Sequence, residues 1–143
     1  MKHLNTFKLF EAIFHTNEIR SHLSDILIEL EDTGFVFHVT GSEKNGFSIM
    51  MDRFVDPKTD KFKSINYKYS DIEYPIQHAI SYLKEKGFEL DKISIPYNDS
   101  EGKYQRENID LSTLEKNDID IVAQIRFEFR KPNESFPILY EYY

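Results

Sequence analysis

The chain has no cysteine, which excludes disulfides, thiolate zinc sites and a cysteine nucleophile together and fits a reducing compartment. It has no apolar run approaching the roughly 20 residues that cross a bilayer. Its amino terminus lacks the uninterrupted apolar core and small-residue cleavage pattern of a secretory signal. The expectation is a soluble, intracellular protein without a membrane partner. Basic charge is scarce as well: Lys+Arg 18 against Asp+Glu 25 leaves a net charge of −7. Non-specific binding to phosphate backbones needs clustered Lys and Arg, so nucleic acid is not an expected partner. The acidity is regional, because Glu89 to Asp120 holds nine acids against the four bases Lys92, Lys103, Arg106 and Lys116, a local balance of −5.

A chain of 143 residues is one ordinary domain, able to bury roughly 70% of the surface that its unfolded form exposes, without help from a metal. Its most informative positive feature is a repeat. Ile19, Leu23, Leu27, Leu30, Gly34 and Phe35 match Ile72, Ile76, Ile80, Leu83, Gly87 and Phe88, each pair 53 residues apart. Each half reads as an amphipathic helix that runs into a strand through one left-handed glycine. The first helix is expected from Thr16 or Asn17, as cap, to about Asp32, with Ile19, Leu23, Ile26, Leu27 and Leu30 inward. Residues 1–14 form a separate arm or short helix that packs Phe7, Phe10 and Phe14 into the core, and 15–143 form a single α+β domain.

Phe35, Phe37 and Val39 alternate with Val36, His38 and Thr40, and Phe47, Ile49 and Met51 alternate again after a turn over Gly41 to Gly46, which is a β-hairpin pattern. A weaker strand is expected from Lys61 to Tyr69. The second helix takes Asp71 or a nearby residue as its cap, holds Pro75 in its first turn or so and buries Ile72, Ile76, Ala79, Ile80 and Leu83 before Gly87. Phe88 to Tyr97 is a strand that Pro96 pushes toward a sheet edge or a strand end. Tyr104 to Leu111 pairs back, and Ser112 with Glu115 has capping-box spacing. Ile119 to Arg130 alternates over twelve residues and predicts one long strand, packed on one face and wet on the other. The fold expected is a two-layer α+β sandwich, two helices on one face of a mostly antiparallel sheet of four to six strands. The long last strand is expected to leave an edge that another chain could pair with, and two copies meeting across a dimer sheet are the alternative.

Catalytic patterns are absent from the order of residues. Among the five histidines, His15 and His22 lie seven apart with the expected cap between them, and no pair has metal-ligand spacing. Asp120 with Glu128-Phe129-Arg130 approximates a magnesium nuclease ending, but arginine replaces the lysine that can act as a neutral base. Gly41-Ser-Glu-Lys-Asn-Gly46 joins two strands, where a phosphate loop must open a helix. No catalytic residue, metal or cofactor is assigned. Tyrosine is frequent, with nine residues, of which Tyr67, Tyr69 and Tyr74 precede the second helix and Tyr140, Tyr142 and Tyr143 close the chain. Tyrosine rings bury area at little entropic cost while the hydroxyl stays wet, so Phe136, Tyr140, Tyr142 and Tyr143 are the candidate protein-binding residues.

Met1-Lys-His-Leu-Asn-Thr-Phe-Lys-Leu-Phe-Glu11, then Leu27-Ile-Glu-Leu-Glu-Asp-Thr-Gly-Phe35 and Ile80-Ser-Tyr-Leu-Lys-Glu-Lys-Gly-Phe88, give the chain a resemblance to small, mostly uncharacterised accessory or virion proteins of large tailed bacteriophages. In some such phages an amino-terminal peptide directs proteins into the head and is cut after a Leu/Ile-x-Glu sequence. That resemblance implies a processing site at Leu9, Glu11 and Ala12, with the folded part starting near Ala12. The expected function is a non-enzymatic protein-binding or structural module, a virion component or an accessory protein directed at the host, located in the host cytoplasm or the virion. Its partner is a protein, or a second copy through an edge strand. Two alternatives are an inhibitor of a nucleic-acid-binding defence system, acting through an acidic surface, and an enzyme whose site is assembled from sequence-distant residues.

Overall fold

Two glycines turn helices into strands: Gly34 and Gly87 have φ of +91° and +92°, a conformation that costs an L side chain roughly 1–2 kcal/mol. At the second, the Phe88 N–H donates to the Leu83 carbonyl at 2.8 Å and the Gly87 N–H to the Lys84 carbonyl at 3.1 Å. Leu83 and Phe88 are both buried, which adds the apolar contact that closes this kind of helix end. The computed structural model describes residues 2–56 and 60–132, with side chains described for 13–54 and 64–132.

Among the described residues the elements run α1 (Lys2–Leu27), β1 (Phe35–Ser42), β2 (Gly46–Asp56), β3 (Asp60–Ser64), β4 (Tyr67–Lys68), α2 (Glu73–Glu85), β5 (Glu89–Asn98), β6 (Tyr104–Asn108), α3 (Leu111–Asn117), β7 (Asp120–Ile121) and β8 (Ile125–Arg130). The sheet order is β1-β2-β8-β5-β6, with every pair antiparallel. β3 pairs with the far end of β2, and β4 and β7 form a separate two-stranded ladder. The protein is therefore the α+β sandwich that the repeat predicts. Ile19, Leu23, Leu27 and Leu30 from the first helical unit and Ile72, Ile76, Ala79 and Leu83 from the second are buried. They share one core with Phe47, Ile49, Met51, Ile93, Ile95, Ile125, Phe127 and Phe129 from the sheet.

Several boundaries differ from expectation. α1 does not start at Thr16; it runs unbroken through that position for 26 residues, about 39 Å at 1.5 Å per residue. Thr16 is used otherwise, its Oγ1 accepting the Glu43 N–H at 2.9 Å from the β1–β2 turn. Residues 2–14, expected as an arm or short helix, are thus the beginning of α1, whose first buried described residue is Ile19. Phe14 is 59% exposed and does not enter the core, while the side chains of Phe7 and Phe10 lie outside the described residues. The helix tightens into a 3₁₀ segment over Ile28–Thr33, which brings Leu30 onto the core side before Gly34.

Of the two cap options expected for α2, Asp71 itself does not cap the helix and the residue next to it does. Ile72 holds the cap position, and the Asp71 carboxylate accepts the Lys68 N–H at 2.9 Å. Ser112 does not cap α3 either, because Asp110 precedes the helix and its carbonyl accepts the Leu114 N–H at 3.1 Å. The run from Lys61 to Tyr69 is split between β3 and β4. The twelve-residue run from Ile119 is split too, since Ala123 adopts φ +68° and separates β7, paired with β4, from β8 in the main sheet. The alternation of sides survives this break: Ile121, Ile125, Phe127 and Phe129 are all buried.

Candidate interaction surface

The helices and core occupy one face of the sheet, and the register aligns the other face in rows. His38, Met50, Arg126, Ser94 and Asn108 stand side by side across β1, β2, β8, β5 and β6. Thr40, Ser48, Glu128 and Lys92 form the row beside it, and Val36 with Asp52 lies on the opposite flank, as does Pro96 with Arg106. Side chains alternate between faces along a strand, so these residues share the face turned away from the core.

Arg106 organises one end of this face. Pro96 stands where the continued register of β5 against β8 would require an amide to meet the Gln124 carbonyl, and proline has none. The Arg106 guanidinium supplies the donor from β6: one terminal nitrogen bonds the Gln124 carbonyl at 2.9 Å and the Ser94 carbonyl at 2.9 Å. Its Nε donates to Ser94 Oγ at 3.2 Å and its other terminal nitrogen to the Tyr104 hydroxyl at 2.9 Å. The expectation that Pro96 marks a strand end holds for its pairing with β8.

Asp52 is half-buried on the same face. Burial raises its carboxyl above the usual carboxylate range, and the charges of Arg106 and His38 pull in the opposite sense. Asp52 Oδ1 and Arg126 Nε are buried polar atoms without a hydrogen-bond partner among the described residues. Together the face offers an acceptor, a donor and a histidine within three adjacent strands. The Ser94 hydroxyl on this face is engaged by the Arg106 Nε at 3.2 Å. Among the described residues no three His, Asp or Glu side chains are grouped to hold a metal ion. Asp120 and Glu128 lie on β7 and β8, in different ladders.

The sheet edges lie elsewhere than expected. β8, the long last strand of the sequence, lies between β2 and β5 and is the centre of the sheet. Among the described residues the edges of the main path are β1 and β6. The Phe54 N–H bonds the Gly34 carbonyl at 2.9 Å, so the even-numbered residues of β1 face β2 with their amides and carbonyls. Phe35, Phe37 and Val39 direct theirs to the open side. β1 has eight residues with no charge and no proline. β6 has five residues and carries Arg106 and Glu107, the kind of edge that charges protect from pairing.

The proposed recognition residues Phe136, Tyr140, Tyr142 and Tyr143 lie outside the described residues. Leu9, Glu11 and Ala12 are within the backbone of α1, with their side chains outside the described set. Of the upstream tyrosines, Tyr67 and Tyr69 are core residues and Tyr74 is exposed. His22 stacks on Tyr82 at 4.2 Å between α1 and α2, and the helix runs unbroken from His15 to His22. The acids from Asp99 to Asp120 are divided among elements: Asp99 accepts the Glu101 and Lys103 amides in its own turn, and Asp118 and Asp120 share Lys68 at 3.8 and 3.9 Å. Sequence reasoning missed Asp52, Arg106 and Arg126, whose only signal was a polar alternate position in a strand. The chain matches no protein-family model, no curated protein and no solved structure.

Proposed function

We propose that this chain is a non-enzymatic protein-binding module that receives an extended segment of a partner protein along the open side of β1. The observation that carries the reading is an uncharged, proline-free edge of eight residues whose odd-numbered amides and carbonyls have no backbone partner among the described residues. Such an edge is a template for adding a strand: main-chain hydrogen bonds give affinity, and alternate side chains give selectivity. The neighbouring polar row places His38 directly beside an added strand, with Asp52 one strand and Arg126 two strands further in. The phage resemblance supplies the setting, a virion component or an accessory protein acting on a host protein.

Proline at position 39 removes one outward amide while leaving the bonds of β1 to β2 in place. Affinity capture from the producing cell should therefore recover a stoichiometric partner with the wild type and with Val39→Ala, and lose it with Val39→Pro. A partner retained by folded Val39→Pro, or no stoichiometric partner with the wild type, refutes the reading.

A further inference from the structure

We infer that the gap between the end of β5 and the bend from β7 to β8 is a docking surface for a basic, proline-rich segment of another protein. β5 pairs with β8 only as far as Ser94, opposite Arg126, yet it runs on to Asn98. Continued register would set Pro96, Tyr97 and Asn98 against Gln124, Ala123 and Val122. Arg106 closes the first of these positions by bonding the Gln124 carbonyl. At Ala123 the chain is left-handed, and β7 beyond it belongs to the ladder with β4. What remains is a depression of about 100 Å³ lined by Pro96, Tyr97, Asn98, Tyr104, Val122 and Ala123. Tyr97, Tyr104 and Val122 are 39%, 59% and 46% exposed. They are three of the seven large apolar side chains that stand exposed among the described residues, gathered at one place.

The backbone at the gap selects the conformation of its occupant. The Ile109 N–H bonds the Ile93 carbonyl at 2.9 Å, so the odd-numbered residues of β5 turn their amides and carbonyls to β6, and Pro96 and Asn98 turn theirs to the gap. Strand addition needs a donor at every second residue, and Pro96 has none. The next carbonyls inward, those of Ser94 and Gln124, are already bridged by the Arg106 guanidinium. A polyproline helix makes no ladder of hydrogen bonds. It needs aromatic surface for its rings and a few donors for its carbonyls, and it is extended before it binds, so little ordering entropy is lost. Tyr97 and Tyr104 supply the rings and Asn98 an amide donor. The Tyr104 hydroxyl accepts one hydrogen bond from Arg106 at 2.9 Å, which fixes the ring and leaves its own proton to donate.

Charge sets the flanks of the ligand. The gap lies within the stretch from Glu89 to Asp120, whose local balance is −5. Of the bases nearest to it, Lys103 pairs with Glu101 at 3.6 Å, and Arg106 is taken up by Ser94, Gln124 and Tyr104. Neither is left to meet an acid of the ligand, whereas arginine or lysine beside the prolines enters a field of the opposite sign.

Titration of the nitrogen-15-labelled full chain with a synthetic oligoproline carrying an arginine at each end, followed by amide chemical shifts, tests this. We expect saturable shifts centred on Asn98, Val122 and Ala123. Tyr97→Ala and Tyr104→Ala should each weaken binding at least about tenfold, the loss expected for an aromatic anchor. Tyr74→Ala, at an exposed position on α2, should bind as the wild type does, and so should Val39→Pro, which alters only the β1 edge. The same peptide with a glutamate at each end should bind on the order of tenfold more weakly. No saturable shift, or shifts centred away from the gap, overturns the proposal. Equal binding of a glycine–serine peptide with the same arginines overturns it too, because charge alone would then explain the attraction. Equal binding of the glutamate-ended peptide overturns the basic character of the ligand.

Discussion

Tyr67→Phe tests how the central strand is started. The Tyr67 ring is buried, and its hydroxyl lies 2.9 Å from both the Met51 and the Ala123 carbonyls and accepts the Ile125 N–H at 3.3 Å. It thus joins the end of the β2–β8 pairing to the residue whose left-handed conformation separates β7 from β8. Burial drives the phenol well above its ordinary pKa, so the group stays a neutral donor. Phenylalanine keeps the ring and its edge-to-face contact with Phe35 at 5.1 Å, so the packing contribution is retained. What is lost is one donated and one accepted hydrogen bond, each worth about 1 kcal/mol net, plus part of the cost of leaving the Ile125 amide buried without this acceptor, for a total of about 2–3 kcal/mol. For a domain of this size that lowers Tm by about 6–10 °C. Urea unfolding followed by circular dichroism should show a lower midpoint at unchanged slope, and Tyr74→Phe, at an exposed position, should change nothing. A Tyr67→Phe stability within about 0.5 kcal/mol of the wild type would refute the bridging role, since that is the scatter of neutral surface substitutions.

Three further substitutions have signs set by the structure. A Cβ added at Gly87 meets no atom within 4 Å, so Gly87→Ala should cost only the left-handed backbone strain, about 1–2 kcal/mol in a denaturant melt; Gly46→Ala, whose Cβ would collide with the Phe129 carbonyl, should lose clearly more. Asp52 has a raised carboxyl pKa in the folded state because of burial, so the native protein binds this proton more tightly than the unfolded chain does. Its contribution to stability therefore falls as pH rises from the ordinary carboxyl value, about 3.9, through the raised value, and stays lowered above it. Asp52→Asn should raise Tm at neutral pH, with the gain shrinking to nothing in acid; a lower Tm than the wild type at neutral pH would mean that the Arg106 and His38 attractions outweigh burial.

Much of the fold is legible in local pattern because local pattern reports which side of an element is buried. Ile19, Leu23, Leu27 and Leu30 lie on one side of the first helical unit whether or not a cap precedes them. The left-handed turns at Gly34 and Gly87 follow from a helix stopping where glycine is available. The alternation from Phe35 to Met51 predicts the hairpin, and its turn forms where the residues between Gly41 and Gly46 are polar. The candidate interaction surface was far less legible. Asp52, Arg106 and Arg126 look like ordinary outward positions until register puts His38 beside Met50, Met50 beside Arg126, and Pro96 beside Arg106.

By itself, the sequence determined the periodicities, and with them the helices, the strand faces and the two-layer class, because the period of apolar residues depends only on the local helix or strand geometry. The tertiary structure decided which strands are neighbours, and therefore which edge is open. Period-two alternation continues unbroken through Ala123, so nothing in it shows that the chain turns left-handed there, or that the Tyr67 hydroxyl, 56 residues away, lies 2.9 Å from its carbonyl as a donor. It also carries no information on lateral order: β8 is the last described strand and central in the sheet, while β1, the first described strand, lies at the edge with its outward amides unpaired among the described residues. Lateral order arises from pairing between strands distant in sequence, and that is a property of the packed molecule.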